Sequence, residues 1–186
     1  MTTLTADRLF NLCSTFPCAD LPQWDEFPSI PLYMDQVLIL LNSYLYPDSG
    51  DSGDDRTLTP SMINNYIKSR IFPASVKKKY YRHHLAALIM ICILKETVSI
   101  SDIPKILPGL GTVEGIRADY ENFQAIFRRT GEEFRASISK VFREHPPEDS
   151  DPDRIILRLA IIGNLCKSLT DSAVAIKKAD EAGAGE

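Results

Sequence analysis

Apolar positions recur along most of this chain at the three- and four-residue spacing of helices, and strand-like alternation is scarce. Thr5 to Phe16 can wind into a short helix with Leu9, Leu12, Cys13 and Phe16 on one face. Pro17, Pro22, Pro28 and Pro31 follow, a stretch too broken for a helix. Trp24 and Phe27 within it are expected to pack down as anchors. Pro31 suits a first helical turn, and the helix it opens should run to about Tyr46 with Tyr33, Val37, Leu40, Leu41 and Tyr44 as its buried stripe. Pro47 and the stretch Asp48 to Asp55 predict an exposed loop. Thr59-Pro60 pairs an oxygen-bearing N-cap with proline in the first turn. The helix it starts should reach about Arg70, be ended by Pro73, bury Met62, Ile63, Tyr66 and Ile67, and expose Ser61, Asn64, Asn65 and Lys68.

Ala74 to Tyr80 is short, basic and extended, suited to a small hairpin. Tyr81 to Thr97 is the most apolar helical stretch, and Ser99 or Ser101 should cap a short helix through Ile103, Ile106 and Leu107. After the break at Pro108 to Gly111, Thr112 caps a long segment reaching about His145, with Ile116, Tyr120, Phe123, Phe127, Phe134, Ile138 and Val141 as apolar positions and a possible kink at Gly131. Pro146 to Pro152 is a polar turn. The last helix, from Asp151-Pro152, carries Ile155, Leu159, Ile162, Cys166, Leu169, Ala173 and Ile176 in a heptad seam. The expected fold is all-α. Residues 1–30 form an N-terminal helix and proline-rich arm, 31–110 a central domain, 111–181 a C-terminal helical hairpin for dimerisation or effector binding, and 182–186 a disordered tail.

At 186 residues, 44% apolar and 25% charged, the chain has the composition of an ordinary globular protein. That excludes a disordered chain, a fibrous repeat and a disulfide-stapled miniprotein. The most apolar run, Leu85 to Leu94, is about half the length that spans a bilayer, and Met1 to Leu12 lacks a basic-then-apolar leader. Four scattered cysteines fit free thiols in a cytoplasmic protein. The net charge of −4 conceals a division. Residues 1–60 carry −7, residues 96–186 carry −4, and residues 61–95 hold seven bases and no acid. An acid-free basic segment within an acidic chain is a candidate anion-binding surface.

Three patterns in Thr57 to Leu107 carry a family resemblance. Asn65-Tyr66-Ile67-Lys68-Ser69-Arg70-Ile71-Phe72-Pro73 resembles the end of a MerR-type recognition helix and its turn. Lys79-Tyr80-Tyr81-Arg82-His83-His84-Leu85 resembles the wing and the start of the next helix. Leu94 to Ile103 resembles the final helix pair. More closely, Trp24 to Leu107 is similar to an uncharacterised bacterial family with a MerR-like domain, through Leu32-Tyr33-Met34-Asp35-Gln36-Val37 and Met62-Ile63-Asn64-Asn65-Tyr66. The resemblance implies a winged helix-turn-helix core within 31–110, and a DNA-binding transcriptional regulator acting as a homodimer on double-stranded DNA.

On that basis Ser61, Asn64, Asn65 and Lys68 are expected to contact base edges, since amides bond adenine in a bidentate manner and lysine reaches guanine. Arg70, Lys77, Lys78, Lys79 and Arg82 are expected to contact phosphates. Tyr66, Tyr80 and Tyr81 are expected in packing roles, and Cys92 and Cys166 as small core residues. His83 and His84 are adjacent on a helix and cannot easily share a metal. Cys13 and Cys18 make half of a metal site without its other half. The acids of the Asp48 to Asp55 loop fall at steps of three, unlike an EF-hand. No cofactor, metal or membrane is expected. No phosphate loop, nucleophile elbow or paired-histidine helix occurs, so an enzyme is not expected. Two alternatives stay open: a protein-interaction module on the same fold, and a small-molecule sensor using the C-terminal helices.

Overall fold

The computed structural model describes residues 5, 8–9, 11–12, 21–46, 57–144 and 151–183. Its helices are α1 (Met34–Leu45), α2 (Pro60–Lys68), α3 (Arg82–Leu94), α4 (Ile103–Ile106), α5 (Val113–Glu144) and α6 (Pro152–Gly183), with 3-10 turns at Trp24–Glu26 and Pro108–Gly111. Extended pairing among the described residues is confined to two antiparallel bridges, Leu32 with Tyr80 and Val76 with Lys79. The fold is all-α.

The chain forms two compact units, Ala19–Ile126 and Met1–Cys18 with Phe127–Glu186, the division falling inside α5. In the first, α3 is the centre: every residue from His84 to Cys92 is buried. Val37 and Leu41 of α1, Ile63 and Tyr66 of α2, Ile103 of α4, and Ile116 and Tyr120 of α5 are buried in the same unit. The proline-rich arm docks as expected through its aromatics. Phe27 is buried with its ring centroid 5.3 Å from Tyr120 and 6.3 Å from Trp24. The Tyr120 hydroxyl donates to the Pro22 carbonyl (2.8 Å) and the Gln124 amide to Leu21 (2.7 Å), so backbone that proline leaves unpaired finds partners on α5. At the start of α5 Thr112 caps Gly115 (3.0 Å), and the Gly109 N–H donates to Asp119 (2.8 Å). A Cβ on Gly109 would collide with the Gly115 carbonyl, so this approach requires glycine.

Several local expectations are corrected. α1 begins at Met34, not Pro31, because Leu32 pairs with Tyr80 instead; Tyr33 becomes its exposed N-cap, with Gln36 accepting the Tyr33 N–H (2.9 Å). α2 ends at Lys68, before Arg70, because Arg70 turns left-handed at φ 54°, and Pro73 plays no part in stopping it. Asp102 rather than a serine stands at the N-cap of α4, held by the Ser99 hydroxyl (2.7 Å). Ile106 is exposed. α5 continues through Gly131, and α6 continues through Ala182 and Gly183 where a disordered tail was expected.

In the second unit Leu9, Ile138 and Ile155 make a small buried cluster, with Leu159 and Ile162 packed against it. The heptad seam of α6 is covered only at this end: Cys166, Leu169 and Ile176 are exposed, as are Leu12 and Phe134. Ile116 and Tyr120, placed by the sequence in the C-terminal hairpin, are buried in the first unit instead. By length and composition, α6 is long and apolar enough to cross a membrane. Cys13, Phe16, Cys18, the loop from Pro47 to Asp55, the Val141 side chain, His145 and residues 184–186 lie outside the described residues.

Candidate nucleic-acid interface

Thr59 accepts from the Met62 N–H (3.4 Å) and Pro60 opens the first turn, so α2 starts where its sequence signals. A side chain of α1 fixes its approach. The Asn42 amide clamps Leu58, accepting from its N–H (2.8 Å) and donating to its carbonyl (3.2 Å). Ile63 and Tyr66 are buried, while Ser61, Asn64, Asn65 and Lys68 share the exposed side. α2 therefore presents two amides, a hydroxyl and an ammonium outward from a buried footing.

Beyond α2, Ile71 and Phe72 are buried and anchor the chain before it rises into a hairpin. Val76 and Lys79 exchange both backbone hydrogen bonds (3.1 and 2.9 Å) across Lys77 and Lys78, which have φ values of 51° and 62°. Positive φ at both central residues is the signature of a type I′ turn, a conformation favoured by Asn-Gly. Lysine at both positions costs roughly 1–2 kcal/mol each relative to residues that tolerate it. The base of the hairpin is held on two sides. Leu32 and Tyr80 exchange hydrogen bonds of 2.8 Å, and His84 reaches Ala74.

His84 has both ring nitrogens engaged: Nδ1 accepts the Tyr81 N–H (3.0 Å) and Nε2 donates to the Ala74 carbonyl (3.2 Å). Burial, reinforced by neighbouring His83, pushes its pKa down to about 4. Burial lowers His83 as well, against Glu114, which raises it. The neutral His84 ring thus ties α3 to the hairpin. His83 stacks on Tyr81 at 6.0 Å. Tyr66 and Tyr80 are buried, and Tyr81 is partly exposed. No group of three or more potential metal ligands occurs among the described residues.

The sequence-selected cations divide by geometry. Lys68, Arg70, Lys77 and Lys78 are exposed. Lys79 is half-buried, its ammonium 5.8 Å from the Tyr33 ring centroid. Arg82 turns back to the arm, donating to the Phe27 carbonyl (3.0 Å) and pairing with Asp25 (3.3 Å). Cys92 is buried, and desolvation raises its thiol pKa to about 12, whereas Cys166 is exposed rather than a core residue.

Residues 22–127 match the family described as Domain of unknown function (DUF1836). The chain belongs to the DUF1836 family. No curated protein and no solved structure matches. The DUF1836 segment contains α1 to α4, the hairpin and every exposed cation discussed here, and α6 lies beyond it. Three features of this DUF1836 surface escape sequence reasoning. Asn42 gives its position away only as a polar residue late in an apolar helix. The left-handed Arg70 and the Lys77-Lys78 turn give no signal, since glycine or asparagine normally marks such positions.

Proposed function

We propose that this DUF1836 protein is a non-enzymatic, cytoplasmic, DNA-binding regulator of the MerR-like winged helix-turn-helix type, acting as a homodimer. One observation carries this furthest. The described non-glycine residues with positive φ are Arg70, Lys77 and Lys78. All are exposed cations in a segment without acids. Strained conformations at non-glycine residues persist where the surroundings hold them in place, and they cluster at functional sites. Three cations held at such positions beside an outward amide pair fit a surface in which phosphates position and base edges specify. Ser61, Asn64, Asn65 and Lys68 would read base edges; Arg70, Lys77, Lys78 and Lys79 would bind phosphates. Arg82, engaged with Phe27 and Asp25, would brace the arm and contribute little to phosphate binding.

The test is a salt titration of binding to random and selected duplexes. Lys77→Ala/Lys78→Ala/Lys79→Ala should lower the log-affinity versus log-salt slope by roughly 0.9 per lost contact, for all sequences alike. Asn65→Ala should leave the slope and remove about 1–3 kcal/mol of discrimination at one base position. Absence of binding by wild type at low salt would favour a protein-interaction module.

A further inference from the structure

Leu157, Ile161, Leu165 and Leu169 of α6 are 60%, 51%, 63% and 72% exposed. They stand four residues apart, a continuous i±4 ridge that Ala173 extends and Ile176, 63% exposed, flanks. The DUF1836 match ends at residue 127, before this helix begins. We propose that the ridge is covered by the same ridge of a second copy of this chain, crossing antiparallel with Leu165 at the two-fold axis. This locates the contact of the homodimer proposed above; because it is tested without DNA, it stands or falls independently of the DNA-binding reading.

Two arguments choose a second copy over a bilayer. The first is charge. Arg158, Lys167 and Asp171 lie within Ile155 to Ile176, where a spanning helix tolerates few ions. Lys167 and Asp171 pair at 3.3 Å. Each lies two residues beyond a ridge leucine, hence roughly 200° round the helix, on the side turned away from it. The helix has one oily side and one ionic side at that level, as a protein partner needs and a lipid surround does not. The second is area. The five exposed side chains offer roughly 300 Å² of removable apolar surface per copy. At the apolar share of a homodimer interface this scales to roughly 1,000 Å² over the pair, the lower bound for a specific contact.

A self-matched interface sets its own register: the midpoint residue meets its copy, and Ile161 meets Leu169 of the partner subunit. Sedimentation velocity of the full chain without DNA tests it. Wild type should be a dimer at micromolar concentration. Leu165→Glu should weaken association at least 100-fold while helix content by circular dichroism stays unchanged, because Leu165 is exposed within the chain. Gly163→Glu adds the same charge on the opposite side, where a Cβ meets nothing, and should leave the dimer intact. In a chain with Cys13, Cys18 and Cys166 changed to serine, Leu165→Cys should form a disulfide-linked dimer on oxidation, and Gly163→Cys should not. A monomeric wild type, a dimer indifferent to Leu165→Glu, or equal cross-linking at both positions overturns the proposal. Flotation of monomeric wild type with phosphatidylcholine–phosphatidylglycerol vesicles overturns it in favour of a bilayer.

Discussion

α3 and α6 are both rich in leucine and isoleucine, yet α3 is buried all round and α6 is covered only near its start. α3 is buried all round within a unit to which α1, α2, α4 and the first part of α5 also contribute buried side chains, with α1 packed against it. Among the described residues, α6 has Leu9 and Ile138 against one end, while Leu157, Ile161, Leu165, Leu169 and Ile176 are exposed. Apolar content therefore states how much surface a helix must hide, and the number of neighbouring elements decides whether its own chain can hide it. One unit is complete within the chain; the other presents an unfinished face.

The difference has a measurable order. Leu88→Ala, at a fully buried position of α3, should cost about 2–5 kcal/mol in chemical denaturation. Loss of only a few tenths would show that α3 is loosely enclosed. Next comes pH. His84 is held below its ordinary value, at about 4. Above about pH 6.5 folded and unfolded states both carry it neutral. As pH falls from 6.5 toward 4 the unfolded chain takes up the proton first, so stability declines, by up to about 3 kcal/mol in all. His84→Gln should flatten this part of the stability–pH curve; an unchanged slope would place the acid sensitivity elsewhere. Leu159→Ala, half-buried against the small cluster, should cost about 1–2 kcal/mol, less than a fully buried seam would lose. Leu169→Ala should change stability by less than about 0.5 kcal/mol at dilutions where α6 is unpaired. A larger cost would mean that α6 is enclosed by its own chain.

Much of the complete unit is legible in the sequence. Thr59-Pro60 announces α2, the helical spacing of Ile63 and Tyr66 selects the buried side, and the anchoring roles of Trp24 and Phe27 follow from bulk apolar rings amid prolines. The exposed set on α2 follows from the same periodicity. The hairpin is legible as an element, but its turn is not, because Lys-Lys at positive φ is a choice that tertiary packing imposes against local preference. The inward turn of Arg82 is hidden for a similar reason. Its partners, Asp25 and the Phe27 carbonyl, lie more than fifty residues away in sequence. The heptad seam of α6 is correctly periodic but overstates burial, since periodicity names the side to be covered and not the element that covers it.

The claim that strained cations form a DNA-binding wing is tested most directly by giving the hairpin the turn that backbone geometry favours. Lys77→Asn/Lys78→Gly keeps the type I′ turn, relieves two positive-φ lysines and removes two charges. Stability should rise by about 2–4 kcal/mol, the sum over the two relieved positions. In a salt titration against random duplex DNA, the log–log slope should fall in magnitude by roughly 1.8 per protomer bound, for two phosphate contacts each. A stabilised variant with reduced slope is the predicted result. A stabilised variant whose binding curve matches wild type, or a wild type without salt-dependent binding, would contradict it.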